Sequence, residues 1–256
     1  KALAKKLDEA NRQRRDIEEG IFRIAKAEIE SWFDEPGIFG LVIGEKGWHL
    51  GIIGIVAARL CSQFYRPSIV IGFDEDGHGR GSCRSIERVD ILSVLGDCHD
   101  LLITYGGHKM AAGLEIDFRN VEKFRERFNL ACERKIKGLV LIPERKIDVW
   151  IGIEEADQVL VDALSLLGPL GYGNPAPILG VRNIRLAEPP RRVGKENQHL
   201  KMTIIKGGSY LDAIGFNLGP INLPSGEMDI VFQLKENTFR GRTMIQMNIK
   251  DLRPSV

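Results

Sequence analysis

The sequence has little that would mark it for a membrane, for secretion or for an extreme of charge. Its apolar runs fall well short of the roughly 18 residues needed to cross a bilayer, and no signal-peptide pattern opens it. Only four cysteines occur in 256 residues, at 61, 83, 98 and 132. None forms a Cys-x-x-Cys pair, which excludes a disulfide framework as the organising device. The thiols are expected to be free, in a reducing cytoplasm. Charge of one sign is lacking too, with 36 Lys plus Arg against 35 Asp plus Glu. That balance excludes a uniformly basic protein that coats nucleic acid by charge alone. No metal site is expected to be completed by this chain itself. The chain starts at Lys1, already inside a helical pattern, and reads as part of something longer.

What is present divides into three stretches. Residues 1–35 predict one long helix, because Leu3, Leu7, Ala10, Ile17, Ile21 and Ile24 recur at spacings of three, four and seven. Pro36-Gly37 stops it. Residues 36–138 alternate strand and helix patterns: strands at 39–43, 68–73, 79–86 and 112–118, helices at 51–64, 89–95 and 121–137. This predicts an α/β domain with a mixed sheet. From 139 to 256 strands dominate, at 146–151, 178–184, 200–205, 210–216, 229–234 and 243–249, with one helix at 155–166. Short strands between Gly/Pro/Asn clusters predict a mainly β domain, a five-stranded barrel of the oligonucleotide-binding type.

Two segments of the α/β stretch carry chemistry. In Gly79-Arg80-Gly81-Ser82-Cys83-Arg84-Ser85, positions 82 and 84 share one strand face. A hydroxyl and a guanidinium side by side make a clamp for a terminal phosphate; the alternative is an arginine on a solvated hairpin. In Gly106-Gly107-His108-Lys109-Met110-Ala111-Ala112-Gly113, bare glycines and a histidine predict a loop that presents backbone N–H groups and an imidazole to a phosphate. His108 is a candidate acid/base group, metal ligand or phosphate donor, or else a structural hydrogen-bonder. Trp48-His49 either caps the following helix or packs in the core.

In the β-rich stretch, residues 182–206 hold seven basic residues, Arg182, Arg185, Arg191, Arg192, Lys195, Lys201 and Lys206, against Glu188 and Glu196. This is either a backbone-tracking surface or a solvated basic hairpin. The Gly/Pro-rich segment 168–177 predicts a rigid loop carrying Tyr172. Tyr172, Tyr210, Phe216 and Phe239 are each either base-stacking platforms or core.

Taken together, 47–60 (GWHLGIIGIVAARL), 65–71 (YRPSIVI), 79–86 (GRGSCRSI) and 106–113 (GGHKMAAG) resemble the DHH-associated domain of the RecJ family of single-strand-specific DNA exonucleases. The segments GPLGYGNPAP, RVGKENQHLK and 229–251 resemble that family's oligonucleotide-binding domain, and the opening helix resembles its long linker helix. The Gly-Gly-His segment occurs across the wider DHH phosphoesterase superfamily, and the barrel motifs select RecJ. The resemblance implies 5′→3′ degradation of single-stranded DNA in recombination and repair, with Mn²⁺ or Mg²⁺ in the intact enzyme and no cofactor in this fragment. It implies that Ser82 and Arg84 hold the 5′-phosphate. Gly106, Gly107 and His108 would face the metal centre and the nucleotide at the scissile bond, His108 in a supporting catalytic role. Tyr172, Arg191, Arg192, Lys195 and Lys201 would bind the strand. The Asp-His-His motif itself is absent, so the metal ligands are expected in an N-terminal DHH domain outside this chain, and the fragment alone is expected to be inactive. Its implied partners are single-stranded DNA, that missing domain and, as a further candidate, a single-strand-binding protein. Two alternatives stay open: a non-catalytic single-strand-binding or partner-docking module, and a DHH-family phosphodiesterase of short oligonucleotides or cyclic dinucleotides. The latter would not be expected to carry the barrel.

Overall fold

Apolar side chains alternate along the first strands, and the alternation sends them to two different cores. The computed structural model describes residues 2–33, 36–171, 173–239 and 241–255. They form two units, Lys1–Pro143 and Glu144–Val256. The first unit runs α1 (Ala2–Glu30), β1 (Leu41–Lys46), α2 (Leu50–Phe64), β2 (Ser68–Phe73), β3 (His78–Arg84), α3 (Ile91–Gly96), β4 (Thr104–His108), β5 (Ala111–Asp117) and α4 (Val121–Ile136). Its sheet has the order β1-β2-β3-β5-β4, with β1 and β2 parallel and the other pairs antiparallel. Leu41, Ile43 and Val70 pack on one face against α1 and α2 through Ile21, Ala25, Ile29, Ile52, Val56 and Leu60. Val42, Ile69, Ile71, Cys83, Leu114 and Ile116 point to the other face, where α3 and α4 supply Val94, Leu95, Phe124 and Phe128.

The start of the sheet differs from the expected strand at 39–43. Asn129 of α4 takes the N–H groups of Phe39 and Gly40 on its Oδ1 and donates to Gly37 O. A side chain satisfies that backbone, so the ladder begins only at Leu41. The segment expected as a Gly-Gly-His loop is also different. Residues 104–108 are the edge strand β4, and Lys109-Met110 turn the chain back into β5. Glycines there do not break the strand, because β5 supplies the partner for their backbone. All four cysteines are buried and unpaired. Burial pushes the Cys61 thiol up to about 11 and Cys83 to about 12, the positive Arg84 pulling the other way, so neither is a ready thiolate.

The second unit runs β6 (Val149–Trp150), α5 (Gln158–Ser165), β7 (Leu179–Leu186), β8 (Arg191–Val193), β9 (His199–Lys206), β10 (Ser209–Gly215), β11 (Met228–Phe239) and β12 (Arg242–Pro254). The order β7-β11-β12-β10-β9 closes on itself through a β7–β9 pairing, and β10 and β12 are parallel. This is a closed five-stranded barrel of the oligonucleotide-binding type. Val181, Ile184, Leu200, Met202, Ile204, Ala213, Phe232, Leu234, Met247 and Ile249 fill it, joined by Ile153 and Val161. The strand expected at 146–151 shrinks to two residues, because the Asp148 carboxylate takes the N–H of Ile178 where a ladder bond would stand. The helix expected at 155–166 starts only at Gln158, after Asp157, whose carboxylate accepts from Leu160 N.

Candidate nucleic-acid interface

In the first unit, α2 covers the β1–β2–β3 part of one sheet face, and the rest of that face is a shelf. Three cross-strand rows lie on it: Arg80–Glu115–Thr104, Ser82–Gly113–Gly106 and Arg84–Ala111–His108. Paired residues of antiparallel strands point to the same face, so the clamp residues and His108 stand on one surface. With strands about 4.8 Å apart, Arg84 and His108 have Cα atoms about 10 Å from each other, with Ala111 between them. The middle row is bare. A Cβ at Gly106 would meet nothing, so its side of the backbone is open. Gly107 is different: its φ is +149°, and a Cβ would lie 2.5 Å from Ala111 O. Only glycine holds the chain there.

The charged groups are held in place. Arg84 Nη1 donates to Ser82 Oγ at 3.1 Å and to Cys83 O at 2.8 Å. Gly54 of α2 lets the helix approach this pair: its Cβ would stand 3.0 Å from Ser82 Oγ and 3.2 Å from Arg84 Nη2. Glu115, the carboxylate on the shelf's outer row, is bound by Arg80 at 3.3 Å and faces His78 at 3.5 Å. That leaves the Arg84 end positive. The hairpin tip is tied by Ser85 N to Met110 O and Ile91 N to Lys109 O, both 3.0 Å, while the His108 ring is exposed and bonded to no described residue. Ser85, which could have offered a second hydroxyl, is buried and donates to Val89 O. His49 caps α2 by accepting from Gly51 N, and Trp48 is buried. Among the described residues no three His, Cys, Asp or Glu side chains gather to hold a metal ion.

On the barrel, most of the basic stretch is engaged internally. Arg182 lies over the Trp150 ring, Arg185 pairs with Glu227 and Arg191 with Glu188. Arg192 donates to Gly219 O at 2.7 Å and Lys206 to Arg182 O at 2.8 Å. Lys195 and Lys201 make no such contact with a described residue. Lys201 is on the outer face of β9, opposite Ile214 of β10. Tyr210 on the same face is 63% exposed, and Phe216 is exposed with its ring edge-on to His199. Tyr172 and the side chain of Phe239 lie outside the described residues. No helix of the described chain is long and apolar enough to cross a membrane.

Residues 35–134 match the family model of the DHHA1 domain, and residues 147–251 match that of the RecJ OB domain. The chain belongs to the RecJ family. It is 33% identical to the single-stranded-DNA-specific exonuclease RecJ of Bacillus subtilis, over 97% of this chain and 32% of that protein. With the RecJ of Salmonella typhimurium it shares 33% identity over 99% of this chain and 45% of that protein. Crystal structures of Thermus thermophilus RecJ with Mg²⁺ and with Mn²⁺ superpose on all of this chain with TM-scores of 0.77 and 0.78, at 28% and 27% identity. The chain thus spans about a third to under half of the RecJ proteins it matches. It carries two RecJ domains, and the shelf and the barrel lie one in each. The resemblance read from motifs and the expected pairing of a mixed α/β domain with a β barrel are confirmed. Sequence reasoning missed the arrangement of the bare Ser82–Gly113–Gly106 row. Only the pattern of small residues at 106 and 113 hinted at it.

Proposed function

We propose that this chain is the substrate-binding part of a 5′→3′ single-stranded-DNA exonuclease of recombination and repair. The reading is carried by one observation. A hydroxyl–guanidinium pair and an exposed histidine flank a side-chain-free strip of sheet, in a chain that also has an oligonucleotide-type barrel. A 5′-phosphate fits the Arg84 end, where a guanidinium binds two phosphate oxygens and Ser82 donates a third bond. The flat floor at Gly113 and Gly106 leaves room for the first sugar-phosphate. His108, with a free ring nitrogen, is placed to donate to the next phosphate. The barrel face of β9 and β10 then takes the strand, with Lys201 on phosphate and Tyr210 under a base.

The described residues do not fit a Mn²⁺ or Mg²⁺ site, since no oxygen-rich ligand set forms. Hydrolysis is therefore assigned to a domain beyond this chain, and what these residues do is bind and orient. The test is Arg84→Ala in the full-length enzyme. The ratio of kcat/KM for 5′-phosphate over 5′-hydroxyl ends should fall at least about tenfold, because a charge-assisted pair is worth roughly 1.5–3 kcal/mol. An unchanged ratio refutes the clamp.

A further inference from the structure

The outer wall of the barrel has a row of residues, polar except for Ile214, that crosses five strands. Strand register places Arg191 (β8), Lys201 (β9), Ile214 (β10), Asn248 (β12) and Gln233 (β11) in one row. With four strand spacings the row is about 19 Å long, enough for several nucleotides of an extended strand. One end is cationic, and lysines flank the other. Arg191 and Lys201 are direct cross-strand partners, and like charges placed so repel. Glu188 offsets only part of this, at 3.4 Å from Arg191. At the far end, Lys235 stands in the next row, opposite Gln246, and Lys250 lies two residues beyond Asn248 on β12.

Neither lysine has an ion-pair partner among the described residues. Burial, and then the positive charges of Lys235 and Arg145, hold Lys250 below the ordinary lysine range. Lys235 and Lys250 thus flank the Asn248–Gln233 pair, one on each side of it along β12. Asp212, beside Gln246 on β10, is the carboxylate in the row of Lys235. Arg182, Arg185, Arg192 and Lys206 of the 182–206 stretch already have partners within the chain.

We propose that Lys235 and Lys250 form a second phosphate-binding subsite on the barrel, so that single-stranded DNA crosses the wall from Lys201 to β11–β12 rather than following the 191–195 hairpin. This rests on the single-strand-binding reading above. The strand's negative backbone is the occupant that matches the charge, and the neutral Asn248 between the two lysines offers donors and an acceptor to base or sugar, while the Gln233 amide already donates to Ala176 O.

The test is fluorescence anisotropy of the purified chain with labelled oligo(dT) longer than the roughly 16 nucleotides one such barrel covers, over a range of salt. Lys235→Ala/Lys250→Ala should weaken binding roughly tenfold and flatten the slope of log affinity against log salt by about 1.4, about 0.7 for each lost contact. Lys250→Met keeps the stem packed and should flatten it by about 0.7, with an unchanged circular dichroism melt. A wild-type slope in both variants, with the loss appearing instead in Lys195→Ala, overturns the subsite and leaves the single-strand-binding reading standing. No binding by the wild-type chain overturns both.

Discussion

Gly54 shows how one residue sets the geometry of the shelf. It sits in the interior of α2, where glycine costs about 1 kcal/mol relative to alanine. What it allows is contact distance: a Cβ would press on Ser82 Oγ and Arg84 Nη2 at 3.0 and 3.2 Å. Gly54→Ala is therefore expected to leave the melting temperature level or slightly higher while shifting the clamp by tenths of an ångström. In the intact enzyme the preference for 5′-phosphorylated ends should drop several-fold. Measuring both quantities separates the roles, since a lower Tm with an unaltered preference would mean that Gly54 serves packing alone. The small face of α2 was legible in the sequence, but its target was not. Spacing tells which residues share a helix face, and only the fold tells which strand lies under it.

At the scale of elements, the barrel turns on a bulge in β7. Between Val181 and Ile184 the register against β11 slips, and Asn183 takes a φ of +52°. Such a residue bends a strand, which closing a barrel requires. Asp229 holds the bulge: its carboxylate accepts from Asn183 N at 3.3 Å, Ser255 Oγ at 2.8 Å and Arg253 at 3.1 Å. Burial pushes this carboxyl up, but the bonds from Ser255, Arg253 and Asn183 outweigh burial and hold it below the usual aspartate range. A depressed folded-state pKa adds stability above the unfolded value, near 3.9, that is lost as pH falls through the folded one. Asp229→Ala should cost about 2 kcal/mol at neutral pH. The difference from wild type in urea-melt stability should shrink as pH drops below about 4. A difference that stays constant from pH 7 to 3 would show that the charge does not hold the bulge. Sequence pattern placed β7, β9 and β10 within a residue or two and found the starts of β11 and β12, but ended both five residues short. It missed β8, which at three residues is shorter than any periodicity can register, and it overextended β6, where the Asp148 side chain replaces a backbone bond.

For the whole molecule, the proposed role of both shelf and barrel is binding, and among the described residues no metal cage forms. The chain is expected to retain oligo(dT) in a mobility-shift assay and to release no nucleotides in excess Mn²⁺. Cleavage above background, abolished by chelator, would place the hydrolytic centre within these residues and overturn the assignment of hydrolysis elsewhere. The RecJ relatives that match it extend well beyond the matched region, the chain covering 32% of one and 45% of another, which leaves room for such a centre.

The sequence by itself determined the class of each half. Periods of 3.6 and 2, interrupted by Gly and Pro, are local signals, and so are the spacings of Ser82 with Arg84 and of Gly106 with His108. Tertiary structure decided which of those groups stand together and which are already occupied. Strand order and register are non-local, and they brought Gly113 and Gly106 into line with Ser82 to make the bare strip. They also brought Arg185, Arg192 and Lys206 to partners within the chain and left Lys201, Lys235 and Lys250 without an ion-pair partner among the described residues. A run of basic residues reads as one surface in the sequence. In the fold cations meet the partners that strand pairing brings to them, and those left without one form the charge available to the proposed DNA strand.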